Sequence, residues 1–354
     1  MKWRIALMAA WMAAAWMSAP GPACALAADP PAAEFHNGQW QPVEPAAAPT
    51  ASPATPDPAL DHVEQLLSAG SAKAAETLAI SWIKSHSKTA PQRDRAIYLL
   101  GVATYQLDRF QGWIRAFYYC DEVMDEYPNS PLFNPSLALQ YRIADELLNG
   151  HRMPFLGIPL VTAYDEAVEM LYRIQQRSPG SPLAERALLR TADYYYANRD
   201  YDLAQDAYAR YVKDYPRSPR VPAVRLREAF ASLAQFRGVR FDPSMILDAR
   251  AQLLDLMAAY PKLAQEENLA ALVQAVDDTL SEKLYVTADF YRRTKLPASA
   301  VYLYRYLLAA YPASPQAPAA RAALAAMPPW ATDQPGPQVA ASYLPQREGS
   351  ATPR

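Results

Sequence analysis

The chain has 354 residues with 34 basic and 36 acidic side chains. So even a balance excludes nucleic acid or an acidic substrate as the partner that electrostatics would select. Its 33 prolines against 11 glycines, with abundant Ala, Leu and Tyr, suit helices punctuated by proline and not a nucleotide fold rich in glycine loops.

The N-terminus opens with Lys2 and Arg4, followed by an apolar run of 13 residues from Ile5 to Met17 and then small and helix-breaking residues. That order of charge, apolar stretch and cleavage region is the pattern of a secretory signal, and the run is short for a bilayer span. Ala25-Leu26-Ala27 supplies a small-x-small site, which puts cleavage between Ala27 and Ala28 and makes the mature chain an exported one. Cys24 offers the alternative of an acylated lipoprotein start, although Gly21-Pro22-Ala23 precedes it poorly. With Cys24 removed, Cys120 is alone, cannot form an internal disulfide, and reads as a small buried hydrophobe.

Residues 28–58 carry eight prolines among Ala and Thr and read as a disordered tether. Within it Phe35-His36-Asn37-Gly38-Gln39-Trp40 is an aromatic island, a strand-like clip onto the folded domain or a short partner-binding motif. From residue 59 to 327 helical periodicity is nearly continuous. Pairs are expected over Leu60–Ser87, Arg93–Tyr127, Pro135–Leu148 with Val161–Arg177, Pro182–Tyr215, Val221–Phe236 with Pro243–Tyr260, and Gln265–Tyr311. The third pair is joined by a longer connection, Asn149–Pro159. A helix from Pro315 to Ala326 caps the stack, and residues 328–354 read as a disordered tail.

The junctions share a phrase. Tyr215-Pro216-Arg217-Ser218-Pro219 returns as Tyr311-Pro312-Ala313-Ser314-Pro315, with related copies at Tyr127–Pro131 and Ser178–Pro182 and a shorter one at Tyr260-Pro261. The expected mechanics are that the aromatic closes one helix, the first Pro stops it, Ser caps the next, and the second Pro occupies that helix's first position. Upstream, Leu188, Thr191, Ala192, Asp193, Tyr195, Ala204 and Tyr208 match Leu284, Thr287, Ala288, Asp289, Tyr291, Ala300 and Tyr304 at a constant offset of 96. The small residues Ala192, Ala204, Ala288 and Ala300 set close helix approach, and Tyr195, Tyr208, Tyr291 and Tyr304 fill between repeats. The fold class is therefore all-α, an α-solenoid of about five to six helix pairs with a C-terminal capping helix.

Chemistry is harder to find. His36, His62, His86 and His151 include no two at helical spacing, so neither a zinc site nor a catalytic triad is supported. No phosphate loop or dinucleotide fingerprint is present, and the carboxylates Asp121, Glu122, Asp125 and Glu126 read as a solvated helix face. No cofactor, metal or catalytic residue is expected. The connection Phe236-Arg237-Gly238-Val239-Arg240-Phe241-Asp242-Pro243 is wider than a repeat needs, with Asp242 as an N-cap and Pro243 in the first turn. Its Phe236, Arg237, Arg240 and Phe241 are either a partner contact or aromatics packed back onto the helices.

The helix pairs resemble the tetratricopeptide repeat, whose length is about 34 residues, with Tyr211 and Leu307 at positions where that repeat has a small side chain. The exported chain, the tether and the Tyr-Pro-x-Ser-Pro junctions together resemble the BamD family of outer-membrane assembly lipoproteins, over Ala167–Pro182, Leu188–Pro219, the widened Arg237–Pro243 loop followed by Ala249–Pro261, and Ala288–Pro315. The resemblance implies a non-catalytic periplasmic scaffold at the inner face of the outer membrane. Its implied partners are the barrel-inserting subunit and unfolded β-barrel precursors, with membrane association peripheral or through a lipid on Cys24. The same junction phrase also occurs in periplasmic adaptors that coordinate cell-wall synthesis with envelope constriction, which is the alternative role.

Overall fold

The computed structural model describes residues 33–36, 39–42, 57–155 and 158–333, with backbone alone at 33–36, 39–42, 155, 159 and 160. Cys24, Ala27, Ala28 and residues 334–354 lie outside them. Two short strands, β1 (Ala33–His36) and β2 (Gln39–Pro42), pair antiparallel with Phe35 opposite Trp40. The helices fall into two compact units, one ending at Tyr194 and the other beginning at Tyr195. The stretch read from the sequence as one repeat domain thus contains both.

The first unit contains α1 (Pro58–Ser68), α2 (Ala72–Ser85), α3 (Arg93–Gln106), α4 (Gly112–Glu126), α5 (Phe133–Leu148) and α6 (Tyr164–Arg177). Between α5 and α6 the long connection folds as a hairpin of β3 (Met153–Phe155) and β4 (Ile158–Val161). Helix α7 (Pro182–Asn198) holds the boundary between the units. The second unit continues with α8 (Tyr201–Asp214), α9 (Val221–Gln235), α10 (Ser244–Ala259), the short α11 (Pro261–Glu266), the long α12 (Leu269–Arg293), α13 (Pro297–Ala310) and α14 (Ala317–Ala325). A last turn, α15 (Pro329–Thr332), extends past the expected start of the tail at 328. Ala331 is buried there and Thr332 O accepts from Arg305 Nη2 at 2.6 Å. The class is all-α with tetratricopeptide-like helix pairs, and the described residues add two short antiparallel strand pairs.

The junction phrase folds differently from its expected mechanics. Tyr127, Tyr215 and Tyr311 close their helices by donating N–H to Val123, Tyr211 and Leu307. Two consecutive turns follow: Ser218 N–H reaches Tyr215 O at 3.1 Å, then Val221 N–H reaches Ser218 O at 3.1 Å. The same double turn runs from Tyr127 through Ser130 to Phe133 and from Tyr311 through Ser314 to Ala317. In each, both prolines sit second in a turn, where a fixed φ near −65° is favoured. In these three copies the second Pro therefore precedes the helix by two residues, whereas Pro182, and Pro261 of the shorter copy, open their helices directly. Asp242 is corrected similarly. Helix α10 starts at Ser244 with Pro243 as its cap residue, while the Asp242 carboxylate accepts from Ser244 N–H at 3.3 Å.

Close helix approach rests on small residues. Ala192, Ala204, Ala288 and Ala300 are fully buried, as are Tyr208 and Tyr304, while Tyr195 and Tyr291 are half-buried. The bulky Tyr211 and Leu307 are buried as well, and the Tyr211 hydroxyl shares a hydrogen bond with Ser218 Oγ at 2.9 Å. In the first unit Gly101 plays the small part. A Cβ there would stand 3.4 Å from Tyr119 Cβ and 3.5 Å from Ala116 O, so α3 and α4 meet backbone to backbone.

Candidate docking surface

The wide connection between α9 and α10 is held from α12. Lys283 Nζ donates to Val239 O at 3.1 Å and to Phe241 O at 2.5 Å, and Phe241 N–H closes a turn on Gly238 O at 3.0 Å. Gly238 has φ 118, a conformation that side-chain-bearing residues rarely adopt. The pinned loop divides the two readings of its aromatics. Phe236 packs against the core formed by α9, α10 and α12, whereas Phe241 is more than half exposed beside exposed Arg237 and Arg240.

Further along α12, Phe290 follows Lys283 by seven residues, roughly 10 Å on the same helix face. Phe290 and Leu296 are more than half exposed, beside the cations Arg292, Arg293 and Lys295 at the α12–α13 turn. Asp289 pairs with Arg292 at 2.6 Å and with Arg293 at 3.0 Å, which fixes their stems while leaving donors toward solvent. Next to this turn lies a groove of about 690 Å³, lined by Tyr285, Arg292, Lys295, Pro297, Ala322, Ala323, Met327 and Trp330 among others. Alanine and methionine give an apolar lining, two cations line it as well, and Trp330 is more than half exposed. Such a surface suits an apolar side chain next to carboxylates.

Of this surface, sequence reasoning reached Phe236, Arg237, Arg240 and Phe241 and missed Lys283, Arg292, Lys295 and Trp330. Arg292-Arg293-Thr294-Lys295-Leu296 between two helices was an available signal; Trp330 was assigned to the tail.

Two of the four histidines have structural partners. His86 stacks on Trp82 at 4.0 Å, and His151 stacks on Trp113 at 3.7 Å with Nε2 2.9 Å from Asp108 Oδ1. Cys120 is buried, which pushes its thiol up to about 12 and leaves it protonated. Asp121, expected on a solvated face, is instead buried, with Arg177 at 3.1 Å, Arg173 at 3.3 Å and Gln140 Nε2 at 2.6 Å. Its helix neighbours Glu122 and Glu126 do face solvent. Among the described residues no group of three His, Cys, Asp or Glu is disposed to hold a metal ion.

Residues 161–333 match the family model described as YfiO: Outer membrane lipoprotein, the BamD-like family that the junction phrase resembles. No curated protein matches the chain. Among solved structures, a chain titled MamA RS-1 ArsTM double mutant is 16% identical with a TM-score of 0.30, over 57% of this chain and 93% of that one.

Proposed function

We propose that this protein is a non-catalytic, exported scaffold. It works at the periplasmic face of the outer membrane, taking part through protein–protein binding in the assembly and insertion of β-barrel proteins. The observation that carries this reading is the match of residues 161–333 to an outer-membrane lipoprotein family, over the stretch that holds the pinned loop and the groove. Stacked helix pairs offer long surfaces of many weak contacts, suited to docking a partner or holding an extended chain without acting on it. The proposed partners are the barrel-inserting subunit and unfolded barrel precursors. The proposed docking residues are Arg237, Arg240 and Phe241, with Arg292, Lys295 and Trp330 beside the groove.

The test is a gentle detergent pull-down from fractionated envelopes with mass identification of partners. Recovery with a barrel-inserting subunit from the outer-membrane fraction is the expected result. Arg240→Glu with Phe241→Ser should lower that recovery about tenfold or more without changing thermal unfolding. Recovery with cell-wall enzymes instead, or in soluble periplasm alone, would overturn the assembly role and leave the fold intact.

A further inference from the structure

The groove beside the α12–α13 turn has one wall built from α14. That helix lays Ala317 and Ala320 on the core beside Tyr304 and Leu307. Ala319 and Ala322, with Ala326 at its C-cap, are exposed and line the groove, where Tyr285, Met327 and Trp330 join them. Arg321 is the one charged residue of the helix. Terminal helices of stacked pairs turn a polar face outward to stay soluble, whereas this one turns out alanine.

Backbone chemistry selects the conformation of an occupant. The groove is walled by helices, whose interior N–H and C=O groups are paired within each helix. An extended segment laid there would find few main-chain partners, while a helix arrives with its own already paired. Small side chains also decide how near such a helix can come. Ala288 of α12 and Ala300 of α13 are fully buried where those two helices meet, and the alanines of the groove offer the same kind of contact with no helix on it.

Charge selects its polar face. Arg292 and Lys295 line the groove, and no carboxylate does so among the described residues. Asp289, the nearest in sequence, is engaged by both Arg292 and Arg293, which leaves Lys295 as an exposed cation beside an apolar floor. An occupant that brought carboxylates would complement this lining, and one that brought cations would be repelled.

We propose that the groove seats an acidic amphipathic α-helix of a partner protein. Its apolar stripe lies on Ala322, Ala326 and Met327, and its carboxylates meet Lys295 and Arg292. The inference rests on the docking reading of this surface and narrows it, since the partner must present a helix here and not an extended strand.

The test uses the full chain and two labelled synthetic peptides of one composition, rich in Leu, Ala and Glu. In the first the leucines recur at i, i+3, i+4 and i+7; in the second they are scattered around the helix. Fluorescence anisotropy should show the first binding about tenfold tighter than the second, and a version with Lys in place of Glu should not bind. Ala322→Trp fills the floor from an exposed position and should weaken binding about tenfold. Lys295 holds φ 62, a conformation that glycine adopts without strain. Lys295→Gly should therefore leave the melting temperature unchanged or higher while binding falls about fivefold and loses part of its salt dependence. The two Glu peptides binding alike, or either variant binding as the parent does, would overturn the proposal. So would an Ala322→Trp effect seen only in self-association or in partition to anionic vesicles. If the peptides fail while the pull-down still recovers the barrel-inserting subunit, the helix site falls and the assembly role stands; if the peptides bind as expected and the pull-down fails, the reverse holds.

Discussion

In the unit that ends at Tyr194, helices are tied to one another by charge. Arg95 joins α3 to Asp61 and Glu64 of α1 at 2.8 and 2.9 Å, and Arg177 joins α6 to Asp121 and Asp125 of α4 at 3.1 and 2.6 Å. Arg190 joins α7 to Asp145 of α5, and the Ser130 hydroxyl donates to Asp94 at 2.5 Å. In the unit that begins at Tyr195, rings take a larger share: Tyr208, Tyr211, Tyr304 and Tyr311 are buried, with Arg250–Asp277 tying α10 to α12. Both units nevertheless use the same double turn and the same alanine contacts. Close approach at small residues sets the geometry of a helix pair, and what fills the remaining space can be ionic or aromatic.

The strongest way to break this comparison is to attack the shared part. Ala204→Arg or Ala300→Arg places a long charged side chain at a fully buried helix contact. The expected cost is on the order of 3 kcal/mol or more, with loss of protection from hydrogen exchange confined to residues after Tyr195. Unchanged thermal unfolding in both variants would mean that these alanines do not set the pairing. Next in size is Asp121→Ala, which removes the acceptor shared by Arg173, Arg177 and Gln140. Because both guanidinium groups are partly solvated, the expected cost is about 2 kcal/mol, read in the unfolding midpoint and located in the first unit.

The aromatic unit was the more legible in sequence. It carries Tyr-Pro-x-Ser-Pro at Tyr215 and Tyr311, and an offset of 96 links Ala204 and Tyr208 to Ala300 and Tyr304, because ring packing against alanine demands particular residue types. The ionic unit keeps the phrase at Tyr127–Pro131 and hides the same device elsewhere. Ala90 N–H bonds Ser87 O and Arg93 N–H bonds Ala90 O, a double turn that keeps only Pro91 of the phrase. Asp121 was misread for a related reason: a carboxylate in a helical acidic run looks solvated until its cations arrive from α6, 52 and 56 positions away. The docking surface was half legible. A loop's own aromatics and cations are visible locally, whereas Lys283 and the groove between α12, α13 and α14 exist only once distant helices pack. The hairpin at 153–161 was read as a long loop, since Pro154 and Pro159 argue against strands and the pairing places them opposite each other.

Acid should separate the units with a smaller effect. Asp57 is held below its ordinary pKa first by the Trp82 indole N–H, and Asp125 first by the Arg177 guanidinium. Both lie in the first unit. Groups with depressed pKa values contribute stability that is present above about pH 4 and is lost as pH falls through their folded values. In the second unit burial raises Glu228 and, more weakly screened from water, Glu267. Their ionisation opposes folding at neutral pH, so protonation relieves that opposition as pH falls. Hydrogen exchange at pH 7 and near pH 3, corrected for the intrinsic rate, should therefore show protection falling more before Tyr195 than after it. Equal losses in the two units would show that these carboxylates do not distinguish them.

The smallest expected effect bears on the loop that the docking proposal uses. Lys283→Met keeps most of the apolar stem and removes the donors to Val239 O and Phe241 O. With water able to replace part of those bonds, the stability cost should be about 1 kcal/mol or less. Exchange at residues 238–242 should nonetheless accelerate, because Gly238 then has little to hold it at positive φ. Recovery of the partner should fall although Arg237, Arg240 and Phe241 are all still present, since an untethered loop must be ordered again at each encounter. If recovery is unchanged while exchange accelerates, the chemistry of the loop suffices and its pinning by α12 is only structural. If neither changes, the tether does not hold the loop in solution, and Phe241 is exposed for reasons other than its anchor.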